Sequence, residues 1–205
     1  MFRCMNITDM YQIHHGGLIR TCDLKAYAIS NGLLWSSVLV SISRWQKQGV
    51  LQRLTRGAYL LRDIEVNAPV AACSLVPDSY ISLESAMSHH GMLLDRIYHI
   101  DLACVRRIRG FSIRNTEVKM SKIPPRLYWG WEVEETSHGS FRIATAEKAL
   151  FDRIYLDRTA TPDLEYFEGM GLQPDALNAE IFHELASLSP KVKRFRKLLK
   201  EYCDE

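Results

Sequence analysis

No stretch of the chain approaches the ~20 apolar residues that a membrane-crossing helix needs, so none of its 205 residues is expected to lie within a bilayer. The start, Met1-Phe2-Arg3-Cys4-Met5-Asn6, runs into mixed polar residues and does not read as a secretory leader. Cysteine is sparse: Cys4, Cys22, Cys73, Cys104 and Cys203 are five in number, irregularly spaced and without a CxxC pair. That pattern excludes a disulfide framework and a zinc-ribbon site, and it predicts free thiols in a reducing cytoplasm. Histidine is placed no better for metal. His14-His15 and His89-His90 are adjacent pairs, which point in different directions on a helix, and no His-x-x-x-His spacing occurs. Neither a metal nor a cofactor is expected. Internal repeats and low-complexity tracts are absent as well.

A hydrophobic content of 47% is enough for real cores, and 24% charged residues is ordinary for a globular chain. The length fits one large domain or two small ones. The net charge of +2 conceals a strong asymmetry. Residues 1–62 carry eight Lys or Arg against Asp9 and Asp23, a net of +6. Residues 63–190 carry 12 basic and 19 acidic side chains, a net of −7, and residues 191–205 return to +3. A basic head on an acidic body points to nucleic-acid contact through the head.

The head has a legible order. A helix is predicted over Asn6–His14, with Ile7, Met10, Tyr11 and His14 on one face, and Gly16-Gly17 stops it. Thr21 is placed to N-cap a second helix, Cys22–Ile29. Ser30-Asn31-Gly32 turns the chain into a third helix, Trp35–Gln48, closed by Gly49. Its spacing predicts Val38, Leu39, Ile42 and Trp45 inside, and Ser36, Ser37, Val40, Arg44 and Lys47 outside. Leu51–Leu54 and Ala58–Leu61 then form a hairpin around Thr55-Arg56-Gly57. Helix, turn, helix and hairpin outline a winged helix-turn-helix. The expected DNA contacts are Thr21, Ser36, Ser37, Val40, Arg44, Lys47, Arg53 and Arg56. Arg44 suits a guanine edge and Val40 a thymine methyl, while Arg53 and Arg56 suit the backbone or a minor groove.

Beyond a linker over Arg62–Asn67, helices are predicted at Ala68–Leu75 and at Leu83–His90 capped by Ser82. Strands follow at 97–104, 117–120, 127–133 and 140–143, and Thr145 caps a helix to about Asp157 with Ala149, Leu150, Ile154 and Tyr155 inside. Two last helices fall near Asp175–Leu188 and Pro190–Tyr202, the latter burying Val192, Phe195, Leu198 and Leu199. The fold class is α+β: a winged helix-turn-helix over 1–66, then a mixed α+β domain over 67–205. A rival reading takes Asp101 with Glu117-Val118-Lys119. Two carboxylates for Mg²⁺ and a Lys to polarise water form a metal-dependent nuclease pattern, with Glu117 and Lys119 on one strand face. The same alternation is common on a solvated strand.

Three blocks resemble one family. Gly49–Leu61 resembles its wing, Ile81–Met92 its capped helix ending His-Gly, and Arg142–Asp152 its third block. Together they span about residues 10–157 in order and are similar to AbiEi antitoxins of type IV toxin-antitoxin pairs. Ala146 departs from the proline the family often has at that first helical position, and residues after 157 match less clearly. The resemblance implies a winged-helix repressor of its own operon bound to double-stranded operator repeats. It also implies an antitoxin role for the C-terminal domain, opposing a nucleotidyltransferase-like toxin without forming a tight complex.

Overall fold

Two compact units divide the chain. One runs to Pro77 and takes in Glu135–Ser140, and the other comprises Asp78–Glu134 and the chain from Phe141 onward. The computed structural model describes residues 5–204, so the start Met1-Phe2-Arg3-Cys4 and the last residue, Glu205, lie outside the described residues. The architecture is α+β. No helix among the described residues is long and apolar enough to cross a membrane.

The first unit runs α1 (Ile7–Ile13), β1 (Leu18–Arg20), α2 (Thr21–Ser30), α3 (Trp35–Lys47), β2 (Leu51–Thr55), β3 (Ala58–Leu61) and α4 (Ala68–Leu75). Its antiparallel sheet has the order β1-β3-β2, with Leu18 opposite Leu60 and Arg53 opposite Tyr59. Met10, Ile19, Leu24, Val38, Ile42, Trp45, Leu51 and Leu61 share one core. β1 was not expected, because three residues are too few to display a period of two. On α1 only Met10 of the expected apolar face is buried; Ile7 and Tyr11 are exposed. On α3 the buried set is Val38, Ser41, Ile42 and Trp45. Leu39, expected inside, is 47% exposed. The first unit also continues past the boundary expected at residue 66. Asn67 Oδ1 caps α4 by accepting from Val70 N at 3.1 Å, and Val70, Ala71 and Ala72 are buried. Gly16, at φ +54°, leaves room for that packing: a Cβ there would meet the Val70 side chain at 3.0 Å.

The second unit contains β4 (Ser79–Ile81), α5 (Leu83–His89), β5 (His99–Cys104), β6 (Phe111–Ile113) and β7 (Thr116–Lys122). β8 (Trp131–Thr136) and β9 (Gly139–Ala144), apart from their shared end Glu135–Ser140 in the first unit, and α6 (Ala146–Leu156), α7 (Leu164–Met170), α8 (Ala179–Ala186), α9 (Pro190–Lys193) and α10 (Arg196–Asp204) follow. The six strands have the order β6-β7-β5-β4-β9-β8. β5 pairs in parallel with β7 and antiparallel with β4, and β4 pairs in parallel with β9. The alternation expected along 97–104 does not hold. Residues 100–104 are all buried, because β5 is covered on both faces, and Tyr98 lies outside the strand at 82% exposure. The strand expected from Leu127 starts at Trp131, after a 3₁₀ turn over Pro125–Leu127. The single helix expected over Pro190–Tyr202 breaks between α9 and α10 at Arg194-Phe195. There the Phe195 ring packs on Tyr166 and Phe167, at centroid distances of 5.3 and 6.1 Å.

α6 is buried nearly all round from Ala146 to Asp152, charged residues included. Thr145 Oγ1 caps it by accepting from Lys148 N at 3.3 Å. Asp152, wholly buried, accepts from Tyr80 Oη at 2.8 Å, from Ser82 Oγ at 2.9 Å and from Lys148 Nζ. Ser82 thus gives its hydroxyl to Asp152 and does not cap α5 as expected. The Lys148 ammonium also lies over three rings, those of Trp129 at 4.7 Å, Phe151 at 5.3 Å and Tyr80 at 5.4 Å. Burial pulls Lys148 below the ordinary lysine range and pushes Asp152 above the ordinary carboxylate range; each partner's charge opposes the other's shift. Removing one member of such a pair leaves the other charge buried alone. Lys148→Met should therefore destabilise the protein by about 3–5 kcal/mol in urea titrations. The exposed control Lys193→Met should stay within about 0.5 kcal/mol.

Candidate nucleic-acid interface

The first unit fixes the start of α2 and the tip of the β2–β3 hairpin together. Thr21 N donates to the Gly57 carbonyl at 2.8 Å. Gly57 has φ +82°, the left-handed conformation that favours glycine, and a Cβ there would crowd Thr21 Oγ1 at 3.3 Å. A register shift between Arg53 and Thr55 bends β2 just before that turn. Thr21 is the first helical residue and not the cap. The capping is done one residue earlier: Asp23 Oδ2 accepts from Arg20 N at 3.1 Å and from Arg20 Nε at 2.9 Å, while Arg20 Nη1 donates to the Ser74 carbonyl at 2.9 Å.

Ser36, Val40, Arg44 and Lys47 are exposed along one face of α3, at helical spacing. Val40 is 68% exposed. Leu39 joins this face, which the sequence pattern did not indicate. Ser37 is half-buried, and its hydroxyl donates to the Leu34 carbonyl at 2.7 Å, a contact within the first turn of the helix. Arg53 and Arg56 are exposed on the hairpin. Thr21 is half-buried against Gly57. Lys25, also missed, is exposed on α2 with its ammonium 5.4 Å from the Trp35 ring. Among the described residues Arg44, Lys47, Arg53 and Arg56 have no ion-pair partner. Four unneutralised cations and an apolar Leu39-Val40 step thus occupy one helix face and the hairpin after it.

The other candidates resolve into structural roles. His14 Nδ1 accepts from Gly17 N at 3.2 Å, His89 pairs with Glu134 at 2.9 Å, and His90 Nε2 lies 2.7 Å from the Ala144 carbonyl. Lys191 donates to the Tyr155 carbonyl at 3.1 Å and to the Asp157 carbonyl, so this cation of the basic tail is tied to the end of α6. The parallel register of β5 and β7 sets Asp101 opposite Lys119 and His99 opposite Glu117. Asp101 Oδ2 accepts from Ser85 Oγ at 3.1 Å and lies 3.0 Å from His99 Nε2, which in turn lies 3.3 Å from Lys119 Nζ. Burial pushes the Asp101 carboxyl up, against the pull of His99 and Lys119. Among the described residues no group of three or more His, Cys, Asp or Glu side chains is placed to hold a metal ion.

No family model and no curated protein matches the chain. Among solved structures it is similar to the Rv2827c protein from Mycobacterium tuberculosis, at 17% identity and a TM-score of 0.40, over 89% of this chain. The chain spans 66% of that protein's length.

The Arg20–Asp23 pair has a readable pH signature. Burial works to raise the Asp23 carboxyl, but the hydrogen bonds and charge of Arg20 outweigh it and hold the group below its ordinary value of 3.8. A depressed folded-state pKa gives stability that is present above 3.8 and lost as pH falls through the folded value. Asp23→Asn should therefore be less stable than the parent at pH about 6, and the gap should narrow as pH falls below 3.8. Urea midpoints across that range read the effect directly; a constant gap would refute it.

Proposed function

We propose that the protein is a DNA-binding transcriptional autorepressor and antitoxin of a type IV toxin-antitoxin operon, of the AbiEi kind, with the first unit acting as a winged helix. One observation carries the DNA-binding half of this reading. The outer face of α3 presents Ser36, Val40, Arg44 and Lys47, and the following hairpin presents Arg53 and Arg56, all exposed and with the four cations lacking ion-pair partners among the described residues. Phosphates supply the missing counter-charge. On this reading α3 enters the major groove, with Arg44 and Val40 toward base edges. Lys47, Arg53 and Arg56 hold phosphates, and Thr21 braces the hairpin from α2. Ser37, engaged with Leu34, is a lesser contact than Ser36.

The antitoxic half rests on the resemblance of Ile81–Met92 and Arg142–Asp152 to family blocks. These blocks contain Ser82, Lys148 and Asp152, which build the buried network of the second unit. The functional partner is a nucleotidyltransferase-like toxin, countered without a tight complex in the cytoplasm. The nuclease alternative draws support from the Asp101–Lys119 register. Against it, Ser85 and His99 both engage Asp101 Oδ2, and the Lys119 ammonium lies against His99.

Gel shifts on the DNA upstream of the reading frame should show log affinity falling linearly with log salt, at roughly −0.9 per phosphate contact. Arg56→Ala should weaken all duplexes alike and lower the slope by about 1, whereas Arg44→Ala should lose roughly 1–3 kcal/mol of preference for the specific site. A flat salt profile would sink the docking mode, and identical behaviour of the two variants would reverse the assignment of α3's face. In cells, the full chain carrying Lys47→Ala, Arg53→Ala and Arg56→Ala together should lose repression and still rescue growth from the neighbouring toxin. Loss of rescue would tie antitoxicity to DNA binding and remove the second unit's assigned role.

A further inference from the structure

The β5–β6 loop carries Arg106, Arg107 and Arg109 within four residues, inside the segment of the chain that is acidic overall. These three line one pocket of the second unit together with Lys122 of β7 and Arg158 just beyond α6. The remaining lining is apolar, Ile108 from the loop and Met120 from β7. Met120 and Lys122 are two residues apart on a strand, so they share a face. Arg106 pairs with Asp78 at 2.5 Å. Arg107, Arg109, Lys122 and Arg158 are exposed and have no ion-pair partner among the described residues.

The loop is anchored at both ends. Cys104 Sγ donates to the Arg106 carbonyl at 2.8 Å. At the far end Gly110 lies so close to β7 that a Cβ would meet the Val118 carbonyl oxygen at 2.8 Å, closer than side-chain carbons approach backbone. A loop held this way keeps its arginines gathered, although gathering like charges is unfavourable without an anion. Four of the five cations are arginines, whose planar donors engage phosphate oxygens in pairs.

We infer that this pocket binds a clustered-phosphate anion, a nucleoside polyphosphate, with the phosphates on the arginines and the base against Ile108 and Met120. The inference is independent of the DNA-binding reading, since all its residues lie in the second unit. Clustered phosphate could equally come from a nucleic-acid strand. The observations favour the free nucleotide, because the cations converge on one concavity that also offers an apolar surface, and a strand spreads its charge along a track.

The test is calorimetric titration of the full chain with ATP, inorganic pyrophosphate and a short single-stranded RNA. ATP and pyrophosphate should each bind saturably at one site per chain. Arg107→Gln with Arg109→Gln should weaken both by at least tenfold, and Ile108→Ala should weaken ATP but leave pyrophosphate within about twofold. Thermal melts should confirm that these surface variants remain folded. Arg56→Ala should leave nucleotide binding unchanged, which separates a failure here from a failure of the DNA reading. Binding of RNA without ATP or pyrophosphate would overturn the proposal in favour of a strand. Nucleotide affinity equal in parent and double variant, or no saturable binding of any probe, would also overturn it.

Discussion

The second unit depends on how one buried carboxylate is satisfied. Asp152 sits on α6 wholly buried, and an unpaired buried charge is costly enough that its partners must be in place. Those partners are Lys148 on its own helix, Tyr80 on β4 and Ser82 at the start of α5. Tyr80 and Ser82 bracket Ile81, the residue of β4 that registers with Ile143 of β9. β4 is only three residues long, yet it joins β6-β7-β5 to β9-β8 in the strand order. A strand so short contributes few ladder bonds, so its position is fixed largely by what grips it from α6. The grip carries a local cost, because Leu83, next to Ser82, takes φ +50°, which strains a residue with a Cβ.

The same logic runs in reverse on the surfaces. Among the described residues the first unit leaves Arg44, Lys47, Arg53 and Arg56 without an ion-pair partner, and the second leaves Arg107, Arg109, Lys122 and Arg158 so. Carboxylates are plentiful in the body of the chain, 19 over residues 63–190, and several of them are engaged with specific cations: Asp152 with Lys148, and Glu84 and Asp157 with Arg153. The two groups of unneutralised cations therefore do not follow from composition. They are carried on rigid supports, a helix face and a bulged hairpin in one case and a loop anchored at both ends in the other. Preorganised charge of this kind favours an anion because the repulsion among the cations is already present before the anion arrives.

Much of the element order was legible in the sequence, and the misses have physical causes. α3, the β2–β3 hairpin, α5 and α6 are long or sharply bounded by glycine or threonine, so period and punctuation agree. β1, β4 and β6 are three residues each and display no period. Leu39 was expected inside because hydrophobicity alone favours it over Ser41. The helix instead turns Ser41 in, since 38, 41, 42 and 45 lie closer to one stripe than 38, 39, 42 and 45. Lys148 and Asp152 have the i,i+4 spacing of an ordinary surface pair, and nothing local distinguishes a buried one. The arginine pocket was hidden for another reason: Lys122 and Arg158 are remote in sequence from the loop they join.

The exposed face of α3 mixes apolar and cationic groups, and magnitudes bear on which partner it suits. Leu39 and Val40, 47% and 68% exposed, would gain roughly 1–2 kcal/mol each if another protein covered what remains exposed. Covering the face would also desolvate Arg44 and Lys47, at several kcal/mol per unpaired ion, so a protein partner would have to bring carboxylates placed to match. Lysine is depleted at the centres of protein interfaces for this reason. Duplex DNA meets both demands in one geometry. Phosphates flank the groove where the cations of α3 and the hairpin would reach, and thymine methyl groups lie on its floor where a short apolar step would rest. The apolar residues therefore weigh on the same side as the charges. Leu39, absent from the sequence-based set of contacts, becomes a base-facing neighbour of Val40 on the proposed docking mode.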